Sequence, residues 1–167
     1  GGYLADRYWG NRRSILYGGI LMAIGQFLMF MSGSSVTDGV QNASSISTMW
    51  AGLTFLIIGN GFFKPNISTM VGQLYPQGDH RIDGAFTIFY MGINLGAFFS
   101  PLICGGLGDT IVYDQAGNII SGSIHDFRYG FLAACIGMII SVISFELLKN
   151  KHLRTPDGVA VGMPKQK

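Results

Sequence analysis

The sequence predicts an all-α membrane protein with four transmembrane helices, and three observations carry that prediction. Hydrophobic residues make up 49% of the chain and charged residues only 12%, about half the charge of an ordinary soluble domain. Mean hydropathy is correspondingly positive, at +0.37. Four long apolar segments recur at 14–31, 46–75, 84–107 and 127–148, each within or beyond the roughly 17–25 residues that cross a ~30 Å hydrocarbon core. Lys and Arg alternate between the links that join them, which orients the set.

The elements follow in order. Residues 1–13 form a charged loop, with Arg7, Arg12 and Arg13 ahead of the first span. The link 32–45 has no Lys or Arg and is rich in Ser, Gly and Asp, the composition of a turn. After the second span, the link 76–83 carries Arg81. The link 108–126 again lacks Lys and Arg, with Arg128 at the mouth of the fourth span. Two β-favouring runs within it, 110–113 and 118–120 around a turn at 114–117, predict a small hairpin lid. Lys149, Lys151, Arg154, Lys165 and Lys167 follow the last span in a linker, 149–167. The positive-inside rule then places 1–13, 76–83 and 149–167 in the cytoplasm and the other two links outside.

A net charge of only +2 indicates no nucleic-acid surface. His80, His125 and His152 lie in three separate segments, and Cys104 and Cys135 lack any CxxC or Cys/His spacing. No metal, cofactor or nucleophilic triad is expected, and the cysteines are expected to pack. His125 and Asp126 are expected in a solvated loop.

The most informative residue is Lys64, in the stretch Gly59-Asn60-Gly61-Phe62-Phe63-Lys64-Pro65-Asn66. In a helix ending at Tyr75 it stands roughly 16 Å from the cytoplasmic end, beyond the ~6 Å that a lysine can snorkel. A charge so deep costs at least about 2.5–3.5 kcal/mol unless it faces a cavity or a partner. No acid of this chain falls at that depth; Glu146 is near the end of the last span, in register with Lys149. Lys64 therefore either titrates as a desolvated amine or pairs with a carboxylate outside these 167 residues, which favours reading the chain as a fragment of a longer transporter. Asn60, Lys64 and Ser68, at i, i+4 and i+8, form one polar stripe, and Pro65 is expected to bend the helix beside it.

The third span adds Asn94, about 15 Å from its start at Gly84 and so at the depth expected of Lys64. Tyr90 lies one turn earlier on the same face. Gly92 and Gly96 have the GxxxG spacing that favours close helix contact. On physics alone the opening GGYLADRYWGNRR is a positive-inside hairpin with glycines for its turn.

These motifs carry a resemblance. Gly2, Asp6, Arg7, Gly10, Arg12 and Arg13 resemble the loop motif of the major facilitator superfamily. The stretches 59–66 and Phe89-Tyr90-Met91-Gly92-Ile93-Asn94-Leu95-Gly96 are similar to the fourth- and fifth-helix signatures of its proton-dependent oligopeptide transporter (PTR2) family. The resemblance implies that the chain corresponds to about helices three to six of the N-terminal six-helix bundle. It further implies proton-coupled symport of di- and tripeptides by alternating access, not enzymatic catalysis. The family's ExxER motif, absent here, would supply the carboxylates for Lys64.

By the same resemblance, Lys64 would engage the peptide carboxylate and couple to protons, while Asn60, Tyr90 and Asn94 would line the substrate cavity. Within the loop motif, Gly2, Asp6, Arg7, Gly10, Arg12 and Arg13, the resemblance implies that Asp6 and Arg7 belong to a cytoplasmic gate that stabilises one facing state. Expected partners are small peptides, protons, the lipid bilayer and the remaining helices of the transporter, in the cell membrane. Another solute, such as nitrate or an amino-acid conjugate, and a non-transporting membrane scaffold are the competing readings.

Overall fold

In a computed structural model the described residues are 2–34, 42–76, 78–110, 115–118, 124–125 and 127–163, excepting the side chains of Leu4, Asp6, Asp109, Thr110, Ile124 and His125. A short helix α1 (Gly2–Leu4) leads through a π-helical turn (Ala5–Trp9) into α2 (Gly10–Ser34). Three further long helices follow: α3 (Ala43–Gly72), α4 (Arg81–Gly108) and α5 (Arg128–His152). All four long helices have the length and apolar composition to cross a membrane.

The opening segment is therefore helical where the sequence suggested a tight glycine turn. Gly10 does have the positive φ, 76°, that the turn reading asked of a glycine. It sits at the junction of the π-helical turn and α2, and helix resumes at once: Ser14 Oγ donates back to the Gly10 carbonyl at 3.0 Å. Trp9 then stacks on Phe62 of α3 at 5.8 Å between centroids.

Glycine sets the packing of α2 on α3. A Cβ at Gly18 would stand 2.8 Å from the Gly59 carbonyl oxygen, and one at Gly25 would stand 2.9 Å from that of Gly52. The two helices thus touch backbone to backbone twice, seven residues apart on each, as small residues permit in apolar surroundings. Ser32 and Ser45 close the far end reciprocally, each hydroxyl donating to the other's carbonyl at 2.8 and 2.7 Å. Against α5 the close approach is Gly19, where a Cβ would meet Val142 Cγ2 at 2.5 Å. The buried Cys135 thiol donates to the Ala23 carbonyl at 3.3 Å.

α4 is peripheral: its one buried residue is Gly108. Gly92 and Gly96, expected to bring a helix close, have nothing within 4 Å of a built Cβ among the described residues. The spacing places them on one face, and Gly92 borders the groove that faces α3 without touching it.

In the link 108–126, β1 (Asp109–Thr110) pairs antiparallel with β2 (Ile124–His125), joining the two ends of the link, with Thr110 of the first predicted run in β1. Of the predicted runs, 111–113 and 119–120, like Asp126, lie outside the described residues.

After α5 the chain turns back on itself. The Val161 N–H donates to the Leu153 carbonyl, a bridge joins Arg154 to Ala160, and Gly158 takes a φ of 82° at the turn. Val161 is buried with Ile15 and Met70, so the core includes a residue of the segment read as linker.

Candidate functional site

Lys64 projects from α3 into an open groove of about 600 Å³ between α3 and α4. Asn60, Lys64 and Ser68 line the α3 side, the polar stripe expected from their spacing; Phe89 and Tyr90 line the other. Among the described residues, Lys64 makes no ion pair: Asp79 pairs with Arg81, and Glu146 with Lys149. The ammonium group is exposed within the groove.

Helix ends decide which residues face each other. α3 ends at Gly72, three residues earlier than expected, so Lys64 lies eight residues in, roughly 12 Å. α4 starts at Arg81, three residues earlier than expected, which puts Tyr90 roughly 14 Å and Asn94 roughly 20 Å from that end. Tyr90, not Asn94, is thus the depth partner of Lys64. Asn94 opens on a neighbouring depression of about 640 Å³, with Thr87, Met91 and Leu95, and Tyr90 borders both spaces. Tyr90 is 55% exposed and is flanked by Phe86 and Phe89, with ring centroids at 6.3 and 5.6 Å.

Pro65 lies inside an uninterrupted α3. Its ring nitrogen has no proton for the carbonyl one turn back, that of Gly61, beside which a Cβ would meet nothing within 4 Å. The next residue, Asn66, is only 2% exposed, and its amide donates to the Phe62 carbonyl at 2.5 Å. Sequence reasoning gave Asn66 no role; its signal was an amide following a proline within an apolar run.

The loop-motif residues separate into two groups. Gly2 has open space around it, and Arg7, exposed, donates to the Tyr3 hydroxyl at 3.1 Å. The backbone of Asp6 lies in the π-helical turn and its side chain lies outside the described set. Arg12, in contrast, is 8% exposed. Its Nε donates to the Val161 carbonyl at 2.5 Å, Nη1 to Asn150 Oδ1 at 3.2 Å, and Nη2 to the Leu153 carbonyl at 2.6 Å. Arg13, its neighbour, is exposed at the same end of the bundle.

Arg12 also fixes the relative direction of the helices. Its contacts put the start of α2 and the end of α5 on one side, and Asn11 Nδ2 reaches Gln73 Oε1 at 3.4 Å, bringing the end of α3 to that side too. The segments rich in Lys and Arg therefore share one end of the bundle, as the positive-inside rule requires.

The family model described as "PTR2: POT family" matches residues 12–156. The chain is 37% identical over 153 residues to the uncharacterized transporter YclF of Bacillus subtilis, covering 92% of this chain and 26% of that protein. It is 38% identical over 146 residues to the peptide transporter YePEPT of Yersinia enterocolitica, covering 87% and 24%, and 32% identical over 155 residues to a di-/tripeptide transporter of Lactobacillus helveticus, covering 93% and 28%. The chain therefore spans about a quarter of the length of the curated relatives it matches. Among solved structures, it superposes on a POT family transporter in complex with a thioalcohol-conjugated peptide at a TM-score of 0.74, with 34% identity, covering 98% of this chain and 27% of that one. A peptide transporter POT in complex with sulfate gives a TM-score of 0.70 at 33% identity, covering 99% and 28%.

Proposed function

This chain belongs to the POT (PTR2) family, and from that premise we propose that it forms the Lys64 side of the substrate path in a proton-coupled symporter of di- and tripeptides. It is a multi-pass membrane protein, built of helices long and apolar enough to span the bilayer. The observation that carries the proposal is the placement of Lys64: a cation about 12 Å inside an apolar helix, opening on a groove with Asn60, Ser68 and Tyr90.

The chemistry of a peptide suits that groove. A zwitterion needs a cation for its carboxylate and neutral donors and acceptors for its amide, and Asn60, Ser68 and Tyr90 offer both kinds. Intramembrane lysines mark substrate or proton paths because their cost must be offset by a partner or a hydrated cavity. In this reading the partner carboxylates are those of the family's ExxER motif, outside these 167 residues. A Lys–Glu pair whose separation changes with conformation changes its proton affinity with it, which couples proton movement to alternating access.

The gate function of the loop motif is carried by Arg12 and Arg13 in this proposal, since Arg12 ties the start of α2 to the segment after α5. The test is uptake of labelled dialanine by the full-length transporter in liposomes under an inward proton gradient, native against Lys64→Ala. Gradient-driven uptake lost in the variant is the expected result. Uptake unchanged by the variant removes Lys64 from coupling; no dipeptide uptake by the native protein overturns the peptide assignment.

A further inference from the structure

Two cavities lie in line along the seam between α2 and α5, on residues apart from the Lys64 groove. The first, of about 400 Å³, is apolar throughout: Ile20, Ile24 and Phe27 of α2 face Ile139, Val142 and Ile143 of α5, over the buried Cys135. The second, of about 340 Å³, lies at the basic end of the same two helices, bordered by Trp9, Arg12, Arg13, Glu146, Lys149 and Asn150.

Spacing links them. Arg13 precedes Ile20 by seven residues and Lys149 follows Val142 by seven, so charged mouth and apolar groove are offset by roughly 10 Å on both helices. The polar zone of one leaflet is about 5–8 Å thick outside the hydrocarbon core. The two cavities are thus set apart by about the distance from headgroup zone to acyl region.

Charge at the mouth selects the ligand. Three cations, Arg12, Arg13 and Lys149, stand against one carboxylate, Glu146. Arg12 has three donors committed to the chain, but Arg13 is exposed and makes no ion pair among the described residues. Lys149 gives one hydrogen bond to Glu146 at 2.5 Å and retains two further N–H donors. Trp9 adds the amphipathic ring that favours a membrane interface.

We propose that the α2–α5 seam holds one anionic phospholipid of the cytoplasmic leaflet, with its phosphate between Arg13 and Lys149 and an acyl chain in the Ile20–Ile143 groove. Basic pockets between membrane helices on the cytoplasmic side have the chemistry to hold such headgroups. The bound lipid covers the apolar cleft between α2 and α5 and neutralises charge beside the Arg12 contacts.

Native mass spectrometry of the full-length transporter tests this, titrated with phosphatidylglycerol and, separately, phosphatidylcholine of the same acyl chains. Phosphatidylglycerol is expected to be retained as a single tight adduct. Its preference over phosphatidylcholine should fall roughly thirtyfold in Arg13→Gln/Lys149→Gln, since two basic groups are removed and each near an anionic surface is worth roughly 1 kcal/mol. Arg13→Lys/Lys149→Arg, which keeps both charges, should restore it. Val142→Trp, filling the groove, should reduce retention of both lipids. Equal retention of the two lipids by the native protein, or a preference untouched by the charge-removing pair, overturns the proposal. So does a groove closed to both lipids in the native protein, the outcome if other helices of the polypeptide occupy it. Should the Gln pair fail to fold, the preference in the charge-conserving pair and in Val142→Trp still decides.

Discussion

Arg12 and Leu153, separated by 141 positions in the chain, meet at 2.6 Å, the guanidinium Nη2 donating to the main-chain carbonyl. Two further donors of the same side chain reach Val161 and Asn150. A planar fork with donors on three sides can serve this corner, where a lysine's single ammonium cannot.

Arg12→Ala should therefore loosen the segment after α5. The Leu153 and Val161 carbonyls lose charged donors, at a cost of about 2–4 kcal/mol. Hydrogen exchange at amides 153–162 of the full-length protein in detergent should rise sharply, with Arg12→Lys intermediate. Unchanged exchange in Arg12→Ala would mean the turn at Gly158 holds the segment without it.

Gly59→Ala should destabilise more than its chemistry suggests. The added methyl would stand 2.8 Å from the Gly18 carbonyl oxygen and 2.7 Å from Met22 Cγ. Overpacking of this kind typically costs about 1–3 kcal/mol. Gly61→Ala and Gly92→Ala meet nothing within 4 Å among the described residues and should be neutral or slightly stabilising. Thermal aggregation temperatures of the three variants, side by side, check the contrast; three equal values would remove the packing account.

Tyr90→Phe is expected to impair substrate binding more than Asn94→Ala, because Tyr90 shares the groove with Lys64 and Asn94 opens on its neighbour. Loss of one hydrogen bond to the peptide corresponds to roughly a 5–10-fold rise in KM. Uptake kinetics of the two variants give the order directly, and the reverse order would assign the peptide to the Asn94 depression.

The Asp79 carboxylate is held at about 2, first by hydrogen bonds from the Arg81 side chain and then by the Arg81 backbone N–H. A depressed carboxylate contributes stability above its unfolded value near 3.8 and loses that contribution as pH falls through 3.8 toward 2. The contribution of Asp79 to the start of α4 should thus be constant between pH 5 and 8. Carbon NMR titration of labelled aspartate should place the Asp79 midpoint near 2, and in Arg81→Gln it should move up toward 3.8. A midpoint unaffected by Arg81→Gln would contradict the pairing.

The four helices were legible because apolar length and the distribution of Arg and Lys act locally along the sequence. The Asn60–Lys64–Ser68 stripe was legible for the same reason, as helical spacing is fixed. What depended on helix ends was less so. Shifts of three residues at Gly72 and Arg81 changed the partner at the depth of Lys64 from Asn94 to Tyr90. Glycine spacing told which residues share a face, but not which face meets a neighbour: Gly18 and Gly59 touch, while Gly92 and Gly96 do not. The Arg12 corner could not be read, since two of its three partners are main-chain carbonyls, which carry no residue identity, and the third, Asn150, lies 138 positions away.

The paired glycine contacts between α2 and α3 have a mechanical consequence. A single point of touch between two rods is a pivot; two points a heptad apart are a weld, fixing angle as well as distance. α2 and α3 are therefore held as one post, with Lys64 mounted on it, while α4, with little of its own surface buried, packs at its far end on α5, where Gly130 lies against Cys104. That weld fixes Lys64 relative to α2, but it does not fix the gap between Lys64 and Tyr90.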